Sequence, residues 1–236
     1  MNKWKRVIIA NTDMTMKKEI ILRPLKLVML SGGLDSTYIL WHYLTKTKFD
    51  IHVHHIEIRN THSERWKYER EAVKNIVKFC KENFRKFTYS ESGFDFFGFP
   101  NVNWDVDVAG FIGTMVARNL TILDKDGKLV ERPISICIGA CKDDGYNNHR
   151  KLGILDGIIR NATLMEFTTT PRAERIAYNI SKKKMLEELP RALSELTWSC
   201  RKPISSRPCG KCPTCKTINK AKEELGWIQK KSIKKS

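Results

Sequence analysis

Leu27-Val28-Met29-Leu30 runs directly into Ser31-Gly32-Gly33-Leu34-Asp35-Ser36, and Tyr38, Ile39, Trp41, His42 and Leu44 follow along a helix-like stretch. A buried strand that turns sharply into a helix leaves backbone N–H groups free at the helix N-terminus. Together with the helix dipole, these favour an anion. Gly32 and Gly33 let backbone approach a phosphate without intervening Cβ atoms, and the Ser31 and Ser36 hydroxyls add donors. The loop has neither the Lys-Ser/Thr ending nor the third glycine of the two best-known phosphate fingerprints.

The rest of the chain fits that opening. Its 236 residues suffice for one domain with a real core. Strand-like and helix-like segments alternate, which predicts an α/β fold, doubly wound around a mostly parallel sheet. No run is long enough for a membrane span, and the apolar stretch near Lys3 to Asn11 is too short for a signal peptide. The expectation is a cytoplasmic protein with no membrane partner. The net charge of +17 is uneven: residues 200 to 236 carry eleven Lys or Arg against two Glu. Such an excess attracts nucleotides or nucleic acid. Lysine runs at 182 to 184 and 230 to 235 equally suit solvated faces and frayed ends.

Along the chain, residues 1 to 25 read as an arm or extra strand. Ile51 to Ile58 alternates as a second strand. Thr61 to Glu64 fits a capping box, with a helix through Cys80 that turns Trp66, Val73, Ile76, Val77 and Cys80 to one side. Phe84 to Tyr89 reads as a strand, Phe94 to Trp104 as a loop, and Val106 to Leu123 as a helix buried around much of its circumference. Asp124 to Lys128 reads as a turn. Ile134 to Ile138 and Leu164 to Phe167 read as strands, and Ser181 opens a last helix of this layer. His54 and His55 read as packing or edge residues.

Of seven cysteines, four form the pattern C-x8-C-x2-C-x2-C. Two-residue gaps let sulfurs in tight turns face one metal, and Gly210 and Pro213 suit such turns. Cys200, Cys209, Cys212 and Cys215 therefore predict a closed structural Zn2+ site. An iron–sulfur cluster is the rival, although the bacterial ferredoxin run orders its cysteines differently. Cys80, Cys137 and Cys141 read as core or loop thiols.

The glycine loop resembles that of the ATP pyrophosphatase (PP-loop) superfamily. Four blocks in order sharpen the likeness: Ser31 to Ser36; Ala117-Arg118-Asn119; Gly139 through Gly145-Tyr146; and Thr197-Trp198-Ser199-Cys200 with Pro208-Cys209-Gly210-Lys211-Cys212 and Cys215. Together they resemble the 7-cyano-7-deazaguanine synthase family over residues 26 to 220. The resemblance implies a C–N ligase using ATP and Mg2+. The carboxylate of 7-carboxy-7-deazaguanine would attack the α-phosphorus, ammonia would displace AMP to give an amide, and a second ATP would activate that amide toward the nitrile.

By resemblance, Ser31, Gly32, Gly33, Leu34, Asp35 and Ser36 hold pyrophosphate. Asp35 and Asp144 are the acidic residues nearby, Arg118 with Asn119 faces substrate or phosphate, and Lys182 approaches phosphate. Asp143, Tyr146 and Arg150 lie where α/β sheets bind ligands. The chain departs from the family pattern at Ile58-Arg59-Asn60-Thr61-His62, at Arg201, and at Thr217-Ile218-Asn219. Two alternatives stay open: a PP-loop relative that adenylates another carboxylate or carbonyl, such as a protein terminus or RNA base, and a zinc-stabilised module that binds nucleic acid. The expected organisation is an arm (1–25), an ATP-binding domain (26–195), a zinc segment (196–226) and a basic tail (227–236), with a homodimer as the oligomeric expectation.

Overall fold

A computed structural model describes residues 5–9, 18–59, 63–99, 105–120, 122–123, 129–130, 132–144, 149–163 and 171–229. The strands are β1 (Lys5–Ile9), β2 (Lys18–Leu22), β3 (Leu25–Met29), β4 (Asp50–Arg59), β5 (Thr88–Asp95), β6 (Ile122–Leu123), β7 (Leu129–Val130), β8 (Ile134–Cys137) and β9 (Arg172–Glu174). The helices are α1 (Leu34–Lys46), α2 (Arg65–Asn83), α3 (Asp105–Asn119), α4 (His149–Ala162), α5 (Lys182–Glu188), α6 (Arg191–Glu195) and α7 (Pro213–Glu224).

Five strands pair in the order β5-β4-β3-β8-β9, and all four pairings are parallel. Two antiparallel pairs, β1 with β2 and β6 with β7, stand outside this sheet. Successive side chains on a strand point to opposite faces, and the apolar core divides accordingly. Val28, Ile51, Val53 and Cys137 join α1, α2, α5 and α7 in one cluster. Leu27, Met29 and Ile136 join α3 and α4 in another. Both faces are covered, so the sheet is doubly wound as the alternation predicts. Among the described residues, no helix is long and apolar enough to cross a membrane.

Several boundaries differ from those the sequence predicts. The α2 helix starts at Arg65 with Glu64 as its N-cap, and no side chain caps it. Glu64 is therefore not the third residue of a capping box, and Thr61 lies outside the described residues. Trp66 is only partly buried, under the guanidinium of Arg59. The third strand begins at Thr88, beyond the Phe84 cap, and runs through Phe94 into the segment read as loop. The α3 helix ends at Asn119 and is one-sided rather than buried all round: Phe111 and Met115 are exposed. Its buried stripe is built from small residues because a Cβ at Gly113 would meet Ile136 at 2.9 Å. Helix α4, whose buried Leu155 and Ile159 stand four residues apart on one face, and the three-residue strand β9 are not among the segments read from the sequence. The turn at 124–128 and the strand at 164–167 lie outside the described residues.

The chain leaves β3 toward β4 on one side and pairs with β8 on the other. The sheet's strand order thus reverses beyond the C-terminal ends of β3 and β8, the place where open α/β sheets bind ligands.

Candidate functional site

The glycine loop fills this switch point. The Ser36 hydroxyl accepts from the Ser31 amide at 3.1 Å, and the two hydroxyl oxygens lie 3.0 Å apart. The Gly33 amide donates to Ser31 Oγ at 3.3 Å and the Leu34 amide to Ser199 Oγ at 3.1 Å. The carbonyl of Gly33 begins α1, accepting from the amide and hydroxyl of Thr37. Among the described residues, the Asp35 and Ser36 amides find no acceptor, as expected for donors in a helix's first turn.

The two glycines have different jobs. Gly33 lines the cavity. Gly32 is buried with φ +81°, and a Cβ there would come within 2.8 Å of the Glu69 carbonyl. It packs closely on α2. Leu34 also points inward, being 1% exposed, so only its backbone can serve the loop.

The loop opens into a cavity of about 490 Å³. Its floor includes Met29, Val106, Ala109 and Ile138, and its polar rim brings Asp35, Asp144 and Lys182 together. Lys182 is buried at the start of α5, capped by Ser181, whose hydroxyl accepts from the Lys184 amide. Its ammonium lies 2.9 Å from both carboxylate oxygens of Asp35 and 3.1 Å from Asp144. Its amide donates to Asp143 at 2.6 Å. Lys183 and Lys184 instead pair with surface glutamates.

Burial alone would lower the Lys182 ammonium, but Asp35, the Cys141 sulfur and Asp144 outweigh it and hold the group above its ordinary value. Lys182 is therefore a cation at neutral pH. Burial pushes the Asp35 carboxyl up, against the pull of Lys182 and with help from Asp144. The Cys141 thiol is likewise raised, chiefly by burial, so it is no thiolate nucleophile. Oxygens of Asp35 and Asp144 and the Cys141 sulfur lie within 4.8 Å of one another, around the volume that the Lys182 ammonium shares.

A second charged group faces the cavity from α2 and α3. Asp105 accepts from Arg65 at 2.5 Å and from Arg201 at 2.7 Å. Glu69 stands 3.4 Å from Arg65, and its carboxyl is pushed up to about 7. Burial is the main cause, Arg65 opposes it and Asp105 adds to it.

The four late cysteines converge. Their sulfurs lie within 4.8 Å of one another, with Cys209 and Cys215 at 4.0 Å. Backbone amides of Cys209, Lys211 and Cys212 donate to cysteine sulfurs at 3.2 to 3.4 Å. All seven cysteines are free of disulfides. Four sulfurs at about 2.3 Å from one ion can be no more than about 4.6 Å apart. Four sulfurs this near one another could hold a metal ion.

Arg118 is placed elsewhere. It sits at the C-terminal end of α3 and does not line the cavity, which is walled by Asp105, Val106 and Ala109 at the helix's other end. The separation is about 20 Å along the axis. Asn119 is exposed beside it. Gly145 and Tyr146 lie outside the described residues. Glu69 and Asp105 also line the cavity and are not among the residues singled out from the sequence, whereas Gly139, at the head of the block that runs to Tyr146, lines it too. Glu69 was hidden because α2 was read only for its apolar stripe.

No protein-family model and no curated protein sequence matches this chain. Among solved structures, the U34-tRNA thiolase NcsA from Methanococcus maripaludis with its [4Fe-4S] cluster is similar, with 16% identity and a TM-score of 0.42. The match covers 88% of this chain and 73% of that one.

Proposed function

We propose that the chain is a PP-loop enzyme that cleaves ATP to AMP and pyrophosphate while adenylating a small carboxylic acid. One observation carries this reading. The first-turn amides of α1, the Lys182 ammonium and two carboxylates share one cavity at the sheet's switch point. A carboxylate is a poor acyl donor because oxide cannot leave, and adenylation replaces oxide with AMP. The acceptor carboxylate attacks the α-phosphorus and the bond to the β-phosphate oxygen breaks. Charge then accumulates on departing pyrophosphate, where the α1 amides and a fixed ammonium are most useful. No side chain need act as nucleophile, because positioning and charge stabilisation suffice. Oxygen donors on Asp35 and Asp144 suit Mg2+, which would neutralise phosphate charge. The four-cysteine cluster suits Zn2+ by its spacing.

In its finer form, the acid is 7-carboxy-7-deazaguanine and ammonia is the second substrate. Ammonia attacks the acyl carbon and AMP leaves. The resulting amide oxygen attacks a second ATP, and loss of both N–H protons with AMP gives the nitrile. Support comes from the order of the sequence blocks and from the apolar floor with its acidic rim.

A second reading keeps the adenylation and changes the acceptor to another carboxylate or carbonyl. The Arg201–Asp105 pair favours it, because this departure from the family pattern stands inside the cavity. The test is incubation with ATP, Mg2+, ammonium and 7-carboxy-7-deazaguanine, followed by mass spectrometry. Amide and nitrile support the finer form. No acid-dependent AMP from folded, metal-loaded protein would refute it.

A further inference from the structure

The cysteine segment and the glycine loop are hydrogen-bonded to each other. The Trp198 amide donates to the Gly32 carbonyl at 2.8 Å, and the Leu34 amide donates to Ser199 Oγ at 3.1 Å. The two bonds bracket Gly33 on either side. Its Cβ position would lie 3.5 Å from Ser199 Oγ and 3.7 Å from the Trp198 carbonyl, so this segment forms the loop's outer wall.

The next residue is Cys200, and the Trp198 indole donates to the Cys200 carbonyl at 3.2 Å. That indole also stacks on Tyr68 of α2 at 4.7 Å. On the far side of the cysteines, Pro213, Thr214 and Thr217 of α7 line the same cavity. An ion gathering Cys200 to Cys212 and Cys215 therefore fixes two walls of the cavity at once.

We propose that Ser199 is a positioning residue for the glycine loop, and that the ion held by the four cysteines sets the loop's conformation, coupling nucleotide binding to metal occupancy. This rests on the reading of the loop as a nucleotide site. Without the ion, residues 198 to 200 lose their anchor, and the Gly32 carbonyl and Leu34 amide lose their partners. A purely structural metal site would stabilise the chain without touching the loop.

The test uses Ser199→Ala and Ser199→Thr beside the full wild-type chain. Titration calorimetry measures binding of ATP with Mg2+, elemental analysis measures metal, and amide hydrogen exchange follows residues 31 to 36. Losing one hydrogen bond predicts ATP binding about three- to tenfold weaker in Ser199→Ala. Metal content stays at the wild-type level and exchange in the loop is faster. Ser199→Thr, which keeps the hydroxyl, restores both. Stripping wild type with a chelator should speed exchange in the loop as well as around the cysteines. Wild-type ATP affinity and loop exchange in Ser199→Ala would overturn the positioning role. Faster exchange confined to residues 200 to 215 after chelation would overturn the coupling. Failure of wild type to bind ATP would instead count against the nucleotide reading, leaving hydrogen exchange to decide whether the clamp exists.

Discussion

Lys182 and Gly32 show how much a single position can decide. The Lys182 ammonium is buried between Asp35 and Asp144, and one partner of such a pair is costly to remove. Lys182→Ala should lower AMP formation by about 10² or more. It also leaves Asp35, already raised by burial, without its counter-ion. A carboxyl whose folded value is raised stabilises the fold only while protonated, and that contribution is lost as pH rises. The variant should therefore fall further below wild type at pH 8 than at pH 5, as denaturant unfolding at the two values will show. Equal deficits would contradict the assignment.

Gly32 combines φ +81° with a blocked Cβ, whereas Gly210 has φ +67° in open space. Gly32→Ala should cost about 2–4 kcal/mol, from left-handed strain plus overpacking. Gly210→Ala should cost about 1 kcal/mol, from strain alone. Thermal unfolding of the two variants will rank them. At this scale the sequence was informative where the residue types are rare: a double glycine, a cysteine cluster. Residue chemistry alone could not choose among Lys182, Lys183 and Lys184, because three adjacent lysines are alike; the family resemblance picks Lys182, and the start of α5 after the Ser181 cap turns that one inward.

Among the elements, β4 and β5 are joined by more than their ladder. His52 bridges Thr88 and Ser90 at 2.7 Å each, and His54 bridges Ser90 and Ser92 at 2.7 and 2.9 Å. Burial, with His52 and His55 adding to it, pushes His54 down to about 4. As pH falls from about 6.5 toward 4, the unfolded chain takes up a proton that the folded chain refuses, so stability is lost over that window. Glu69, raised to about 7, works in the opposite direction but equally in wild type and variant. The stability gap between wild type and His54→Asn should therefore narrow as pH drops from 7 to 4.5. Melting curves across the range will test this, and parallel curves would refute it.

Elements with strong periodicity, such as α1 and β4, were legible in sequence because their apolar pattern matches a packed face. The third strand was misplaced because Phe84 and Phe87 look strand-like, yet they pack on the core from outside the ladder. The residues that do pair, such as Ser90 and Ser92, are polar because they serve histidines. The small residues of α3 suggest burial all round, yet they mark only the sides that touch the sheet, at Gly113, and α4, at Gly110. Arg118 owes its expected role to the family resemblance alone, and it stands away from the cavity because α3 presents its N-terminal end there.

For the whole molecule, the α/β class followed from alternating elements, and the cavity's location followed from the loop's place after the first core strand. Contacts between distant segments were not legible, because nothing in Thr197 to Cys200 announces that it closes over Gly33. The four sulfurs predict one zinc per chain. Cys212→Ser should lose the metal and melt several degrees lower, which elemental analysis and calorimetry will show; retention of zinc at full stability would contradict the assignment. Everything at this scale turns on cleavage between the α- and β-phosphates at the Ser31 to Ser36 loop. Phosphorus NMR of ATP turnover with the acceptor acid measures it most directly. Wild type should give AMP and pyrophosphate, and Lys182→Ala about 10²-fold less of both; ADP with inorganic phosphate would mean cleavage at the other phosphate bond and would refute the reading.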